Sequence, residues 1–146
     1  MAETGARDRL AVIVYSGDVE RVHYALALAS AAAAVNIPAT LFFTMGGIRA
    51  LLADKPDGAP GWHALAPGES GLAPGAREKS LNERGAASFG ELLSACRELG
   101  VSFMVCEMGL RAVGIDASEL RRDIEIAEGG IVTLLRAAED GKIVFV

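Results

Sequence analysis

Short apolar runs of strand length alternate along this chain with longer segments of helical spacing. Unbroken runs of aliphatic and β-branched residues are typical of strands covered on both faces, as in a parallel sheet. Five such runs occur, at residues 10–15, 39–44, 101–106, 124–127 and 142–146. Helical segments are predicted between them, at residues 19–35, 47–53, 89–99, 107–113 and 131–140.

Capping residues mark the ends of the predicted helices. Asp18 precedes the first helix and can accept hydrogen bonds from its free N–H groups, while Asn36 and Pro38 end it. Ser88 and Glu91 have the spacing of a capping box, in which each side chain binds the other residue's backbone N–H. Strand, turn and helix therefore follow one another in regular order.

Strands that alternate with helices predict right-handed βαβ units. We expect a single α/β domain over residues 1–146: a flavodoxin-like three-layer sandwich of about five mainly parallel strands, with helices on both faces. The longest apolar stretch, residues 24–35, is shorter than the roughly 20 residues that span a bilayer. We therefore expect no integral membrane segment.

Residues 54–87 interrupt this alternation. Four of the five prolines lie there, among many glycines and without a sustained apolar period. This pattern predicts an insertion that forms a long functional loop or a mobile one. The pair Trp62 and His63 lies within it, and we expect an exposed pair, with a cover over an active site as the alternative.

Composition and charge exclude several classes of function. The chain has 14 Lys and Arg against 19 Asp and Glu, a net charge of −5 and only 5% aromatic residues. Nucleic-acid binding proteins need a basic surface and often stacking aromatic residues, so we expect no nucleic-acid partner. The few His and Cys residues lack metal-ligand spacing, so we expect no metal site.

Two cysteines cannot form a disulfide framework in a chain of this size, and residues 1–8 lack a signal peptide's basic end and apolar stretch. We expect a cytoplasmic protein with reduced thiols. The spacing of Cys96 and Cys106 across a turn and a strand predicts Cα atoms too far apart for a bridge.

In open α/β sheets, ligands bind at the carboxyl ends of the strands. Segments 16–18, 44–47, 106–109 and 128–130 should meet there. Asp18 and Glu20 in the first of these turns would repel a phosphate, which disfavours flavin and nucleotide ligands. Candidate substrate-binding residues at this edge are Ser16, Gly17, Asp18, Gly46, Gly47, Glu107, Met108, Gly109 and Gly130.

Cys106 is the candidate nucleophile because it ends a strand and precedes a helix, whose free N–H groups favour a thiolate. Against this, Glu107 is adjacent and acidic, and a buried thiol resists ionisation. A packing role for Cys106 therefore stays open. Cys96 lies among leucines on an apolar helix stripe, which predicts a structural role.

Several segments, in this order and spacing, resemble the DsrE/DsrF-like family of small sulfurtransferases, in the larger variant often labelled peroxiredoxin-like. The resemblance covers nearly the whole chain. The segments are LAVIVYSGD at 10–18, the Ala-rich helix to Asn36, ATLFFT at 39–44, GVSFMVC at 100–106, Gly114-Ile115 and Gly129-Gly130.

The resemblance implies a sulfur-relay function without a metal or organic cofactor. Relatives hold sulfane sulfur as a persulfide on one cysteine at the end of the corresponding strand, and Cys106 matches that position. The implied partners are a TusA-like sulfur carrier or a rhodanese-like donor, and the implied assembly is a homo-oligomer. The alternatives are a non-catalytic oligomeric subunit, in which Cys106 only packs, and a small-molecule binding module.

Overall fold

The fold is built on a five-stranded parallel sheet in the order β4-β3-β2-β1-β5. A computed structural model describes residues 8–146; residues 1–7, where we looked for a signal peptide, lie outside the described residues. The strands are β1 Leu10–Val14, β2 Ala39–Phe43, β3 Ser102–Cys106, β4 Ile126–Gly129 and β5 Lys142–Phe145. The helices are α1 Val19–Ala34, α2 Pro74–Glu83, α3 Phe89–Glu98, α4 Glu107–Val113 and α5 Ile131–Ala137. Short 3₁₀ helices occur at Met45–Leu51, Gly61–Ala64 and Ala117–Glu119.

The handedness of the crossovers places the helices. From β1 to β4 each strand lies one position further along the sheet, so right-handed crossovers put α1, α3 and α4 on one face. The chain then returns past the whole sheet to β5, and this reversed direction puts α5 on the opposite face. The flavodoxin-like α/β prediction, with helices on both faces, is confirmed.

The larger core lies on the face that α1 and α3 cover. Val12, Leu41 and Phe103 point to this face from three neighbouring strands and pack against buried residues of both helices. The rings of Phe43 and Phe103 stack with centroids 6.0 Å apart. The α3 capping box between Ser88 and Glu91 is present, as predicted.

The opposite face has a thinner cover. The apolar cluster buried on this face is small: it comprises Ala11, Phe42 and Cys106 of the sheet, Leu134 of α5, and Ala138, which directly follows α5. Helix α5 has seven residues, and its N-cap residue, Gly130, has no side chain to cap it. The two faces of the sheet therefore differ in how firmly they are covered.

The insertion is more regular than the expected loop, since it contains the ten-residue helix α2 and a 3₁₀ helix. Trp62 is 6% exposed and stacks on Phe89 of α3 with ring centroids 4.2 Å apart, so the prediction of an exposed pair is wrong for this residue. His63 is exposed. The burial of an aromatic ring is favourable enough to hold a loop against a helix. The Gly- and Pro-rich sequence around Trp62 gives no sign of this contact.

Polar contacts also fasten the insertion to the rest of the fold. The Glu78 carboxylate of α2 accepts hydrogen bonds from the N–H groups of Phe89 (2.7 Å) and Gly90 (2.9 Å). These are two of the orphan donors of α3's first turn, so α2 completes the cap that Ser88 begins. His23 of α1 forms a further hydrogen bond between its Nε2 and the Ala87 carbonyl, at 2.9 Å.

Within residues 8–146, no helix combines the length and apolar character needed to cross a bilayer.

Candidate functional site

The connections that leave β3 and β4 run to opposite faces of the sheet. After Cys106 the chain enters α4 on one face, and after Gly129 it enters α5 on the other. Cys106 and Gly129 are register partners on these adjacent strands. Such a switch point opens a crevice at the carboxyl ends of the strands, where α/β proteins bind ligands. Cys106 thus lies at the end of β3, beside this topological switch point.

Cys106 forms the N-cap of α4 with its sulfur. The side chain accepts a hydrogen bond from the Gly109 N–H, with a nitrogen to Sγ distance of 3.4 Å. The residue is 1% exposed, covered on its face of the sheet by Leu134 of α5 and by Ala138, which directly follows the helix. This hydrogen bond fixes the orientation of the Cys106 side chain at the start of α4.

Gly109 is a close-packing position. A Cβ added at residue 109 would lie 2.7 Å from Thr44 Oγ1 and 2.9 Å from the Met45 nitrogen. Only glycine lets the first turn of α4 approach the end of β2 so closely. The N–H that reaches Cys106 is therefore held in place by tertiary packing against Thr44 and Met45.

Thr44 lies in the segment 44–47 that the sequence places at this edge, but it is not among the candidate residues named there. Residues 43 and 105 are register partners, so the next residues, Thr44 and Cys106, end adjacent strands side by side. The strand alternation that turns Phe42 and Cys106 to the α5 face also turns Thr44 there. The available signal was a hydroxyl residue directly after a buried strand.

Met45, directly after Thr44, has a φ of +49°, in the left-handed region that non-glycine residues seldom adopt. The turn that imposes this conformation is packed backbone to backbone, because a Cβ at Gly46 would lie 2.9 Å from the Gly17 nitrogen. Gly47 donates its N–H to the carbonyls of Thr44 and Tyr15. The predicted residues Gly17, Gly46 and Gly47 thus join the first two loops of the edge.

The β1–α1 turn is occupied by the protein itself. Asp18 accepts hydrogen bonds from the N–H groups of Glu20 and Arg21, at 2.7 and 3.2 Å, and Ser16 Oγ accepts from the Asp18 N–H at 3.1 Å. Ala66 of the insertion pairs with Asp18 as an isolated parallel bridge. The N-terminus of α1 therefore has its donors satisfied and its approach covered.

Glu20 extends this cover. Its carboxylate accepts hydrogen bonds from the hydroxyl and N–H of Ser70, and Arg77 lies 3.9 Å away. The hydrogen bonds from Ser70, with a smaller contribution from the Arg77 charge, hold the pKa of Glu20 below its ordinary value. The two acidic residues that we expected to repel phosphate thus anchor the insertion.

The remaining predicted residues lie around Cys106. Glu107 and Met108 are exposed in the first turn of α4, and Gly130 follows the register partner of Cys106 with open space where a side chain would be. The structure thus brings Glu107, Met108, Gly109 and Gly130 together with Cys106, whereas Ser16 and Asp18 are used by the covered β1–α1 turn.

Cys96 differs from Cys106 in its surroundings. It is completely buried in α3, and its thiol donates a hydrogen bond to the Leu26 carbonyl at 3.3 Å. Burial raises the pKa of the Cys96 thiol to about 12, which keeps it protonated. Both cysteines are free thiols.

Two further cavities lie along β3 and β4: a small one of about 190 Å³ is lined by Val105 and Glu128, next to Cys106 and Gly129 on the α4 side. A larger cavity of about 590 Å³ opens at the amino ends of β3 and β4, where Arg97 pairs with Asp123 at 3.2 Å. Among residues 8–146, no three His, Cys, Asp or Glu side chains are grouped to hold a metal ion.

A family model described as the DsrE/DsrF-like family matches residues 8–146. The chain belongs to the DsrE/DsrF-like family. This confirms the family that the sequence resembles, and Cys106 at the end of β3 is the cysteine that the resemblance singled out.

Proteins similar to this DsrE/DsrF-like chain include one that is named as a sulfur carrier. "Sulfur carrier protein DsrE2" of Allochromatium vinosum is 28% identical over 138 residues, covering 82% of this chain and 86% of the relative. The uncharacterised protein YrkE of Bacillus subtilis is 24% identical over 152 residues, covering 92% and 94%. The crystal structure of the ychN protein from E. coli shares the fold with a TM-score of 0.60 at 17% identity, covering 94% and 98%.

Proposed function

We propose that this protein is a sulfur-relay protein in which Cys106 carries sulfane sulfur as a persulfide. The observation that carries the proposal is the position of Cys106 at the switch point between β3 and β4, with the Gly109 N–H on its sulfur. Membership of the DsrE/DsrF-like family and the similarity to a protein named as a sulfur carrier support it.

The transfer is two successive exchanges at sulfur. The Cys106 thiolate attacks the outer sulfur of a donor persulfide, R–S–SH; a new S–S bond forms while the donor's S–S bond breaks. The products are the Cys106 persulfide and the donor thiolate, R–S⁻. An acceptor thiolate then attacks the outer sulfur of that persulfide in the same way and releases the Cys106 thiolate. Neither exchange consumes an oxidant or a reductant.

The partners that fit this chemistry are proteins with a reactive thiol. A rhodanese-like protein serves as the donor and a TusA-like sulfur carrier serves as the acceptor. The exchange works where thiols stay reduced, so we place it in the cytoplasm.

The burial of Cys106 gives α5 a role in the transfer. Leu134 and Ala138 lie over the cysteine's face of the sheet, so a partner thiol reaches Sγ only when α5 moves. Helix α5 is short and uncapped at Gly130, and Asp140 after it has a φ of +64°. Few contacts therefore need to break when this cover opens.

Mass spectrometry of the intact protein after incubation with inorganic polysulfide tests the assignment. We expect the wild type and Cys96→Ser to gain one sulfur atom that dithiothreitol removes, and Cys106→Ser to gain none. A gain that persists in Cys106→Ser would refute the proposal, and a loss in Cys96→Ser alone would move the function to Cys96.

The near-complete burial of Cys106 also favours a second candidate function, a non-catalytic subunit in which this cysteine only packs. Alkylation by iodoacetamide separates the two. Under the persulfide proposal the native protein labels at Cys106 near neutral pH, while Cys96 labels only after denaturation. Equal protection of both thiols in the native state would favour the packing role.

We further propose that the protein is a homo-oligomer whose copies meet at the α5–β5 surface. This surface comprises five large apolar side chains that are 46% to 66% exposed: Ile131, Val132, Leu135, Ile143 and Phe145. A standard interface buries about 800 Å² per partner and is roughly 65% apolar in homodimers, and exposed patches of large apolar side chains mark such interaction surfaces. A second copy would supply the layer that this face of the sheet lacks.

Light scattering coupled to gel filtration tests this surface. We expect the wild type to have at least twice the 15.2 kDa mass of the chain, and Leu135→Glu to be monomeric. Tyr24→Glu is the matched control, because Tyr24 is a large apolar side chain that is exposed on α1, on the other face of the sheet. A monomeric wild type, or an oligomer unaffected by Leu135→Glu, would contradict the proposal.

A further inference from the structure

One segment of the insertion, residues 66–73, is held differently from the residues on either side of it. Leu65 before it is 3% exposed, and Pro74 after it is buried in the first turn of α2. Between these two residues, Gly68 is half-buried and all the others are exposed. We call residues 66–73 the flap. It contributes no side chain to the two apolar clusters of residues 8–146, so apolar burial does not hold it in place.

Polar contacts fasten the flap to the start of α1 instead. The Val19 N–H donates to the Ala66 carbonyl at 2.9 Å, and the Ala66 N–H donates to the Gly17 carbonyl at 2.8 Å. Further along the flap, Ser70 donates its N–H, at 3.1 Å, and its hydroxyl to the Glu20 carboxylate. The flap therefore lies across the N-terminus of α1 and is held there by hydrogen bonds.

Two glycines let the tip of the flap lie close to α1. A Cβ at Gly68 would lie 2.5 Å from Asp18 Oδ1 and 2.6 Å from Glu20 Cδ. Gly71 has a φ of +77°, in the left-handed region that favours glycine, and its N–H closes a turn on the Gly68 carbonyl at 3.0 Å. This turn carries Ser70 to the Glu20 carboxylate.

The anchors on both sides of the flap do not depend on these contacts. Before it, Trp62 stacks on Phe89, and after it, Glu78 binds N–H groups in the first turn of α3. A segment with exposed hydrogen bonds and few buried apolar contacts opens at a lower free energy than the whole fold. The flap can therefore detach while the rest of the insertion stays in place.

We propose that the flap opens locally over the N-terminus of α1 and that the contact between Ser70 and Glu20 is its latch. Hydrogen bonds to an ionised carboxylate are stronger than those to a neutral group, so the charge of Glu20 strengthens the latch. The hydrogen bonds from Ser70 lower the pKa of Glu20, which keeps this carboxylate ionised near neutral pH. Opening frees the Val19 N–H and uncovers the Asp18 and Glu20 carboxylates. This device controls access to the β1–α1 turn and does not depend on the proposed persulfide function of Cys106.

Amide hydrogen exchange, followed residue by residue by NMR, tests the flap. In the wild type we expect the Val19 and Ala66 N–H groups to be less protected than the amides of β2. Glu20→Gln and Ser70→Ala each weaken the latch, so each should lower this protection about fivefold, as the loss of one ordinary hydrogen bond does. The Phe89 N–H, which Glu78 binds, should keep its protection in both variants.

Glu69→Gln is the matched control, because Glu69 is an exposed glutamate next to Ser70 in the same turn, and we expect it to leave the exchange rates unchanged. If Val19 and Ala66 are as protected as β2 in the wild type, the flap opens only with the whole fold and the proposal fails. Wild-type rates in both Glu20→Gln and Ser70→Ala would refute the latch. Equal acceleration of Phe89 would show that the insertion detaches as one unit, which also contradicts the proposal.

Discussion

Gly47→Ala is expected to lower the free energy of unfolding by about 3 to 5 kcal/mol, among the larger effects that single substitutions produce. A Cβ at residue 47 would lie 2.2 Å from the Val14 carbonyl oxygen and 2.9 Å from its carbon. That oxygen accepts the Thr44 N–H at 3.0 Å. The clash is with backbone, so no rotamer relieves it, and β1 and β2 have to separate where they end. Urea denaturation followed by far-UV circular dichroism measures the loss.

Gly130→Ala is the control for this substitution. A Cβ at residue 130 meets nothing within 4 Å, and its φ of −110° suits any residue. We expect a loss of at most about 1 kcal/mol, from replacing glycine with alanine at a helix N-cap. Equal midpoints for Gly47→Ala and the wild type would show that the first two loops of the edge are not packed as described.

Trp62→Ala is expected to destabilise the protein by about 3 to 5 kcal/mol, the usual cost of truncating a buried tryptophan. The indole joins the insertion to α3 by stacking on Phe89 and also meets the His63 ring edge-on, with centroids 4.5 Å apart. Without the indole, the insertion at residues 54–87 loses its aromatic contact with α3. The hydrogen bonds from the first turn of α3 to Glu78 remain. Urea denaturation gives the change in free energy.

Two further variants serve as controls for Trp62→Ala. Trp62→Phe keeps an aromatic ring and should recover most of the stability, whereas His63→Ala, at an exposed position, should cost less than about 1 kcal/mol. Trp62 is also the single tryptophan, so the native fluorescence of the wild type should be that of a buried indole and shift to the red on unfolding. A Trp62→Ala variant as stable as the wild type would mean that the insertion does not depend on this contact.

Most of the sheet was predictable because its strands are continuous apolar runs. β1, β2 and β5 start at the predicted residues and end one residue early, and β3 loses only its first residue. β4 was placed two residues too early: Ile124 is apolar but joins the core, and pairing with β3 extends the strand to Gly129. A strand's register depends on its neighbour, which a local pattern does not contain.

The helix and the tertiary contacts of the insertion were not predictable from the local sequence pattern. Helix α2 begins at Pro74 and consists largely of polar helix-forming residues, a signal that the absence of an apolar stripe obscured. Helix α2 contacts α3 through the Glu78 carboxylate, which accepts hydrogen bonds from the N–H groups of Phe89 and Gly90, 11 and 12 positions further along the chain. Neither this contact nor the stacking of Trp62 leaves a periodic trace in the sequence.

The sequence by itself determined the alternation of strands and helices, the family, and the different positions of its two cysteines, one within a helix and one at the end of a strand, because these depend on local composition and on the order of segments. Only the tertiary structure decided that Thr44 stands beside Cys106, that the insertion covers the first turn, and that α5 lies over the thiol. These features depend on strand order, register and the close approach of glycine backbones. Such contacts join residues far apart in the chain, so they exist only once the sheet has formed.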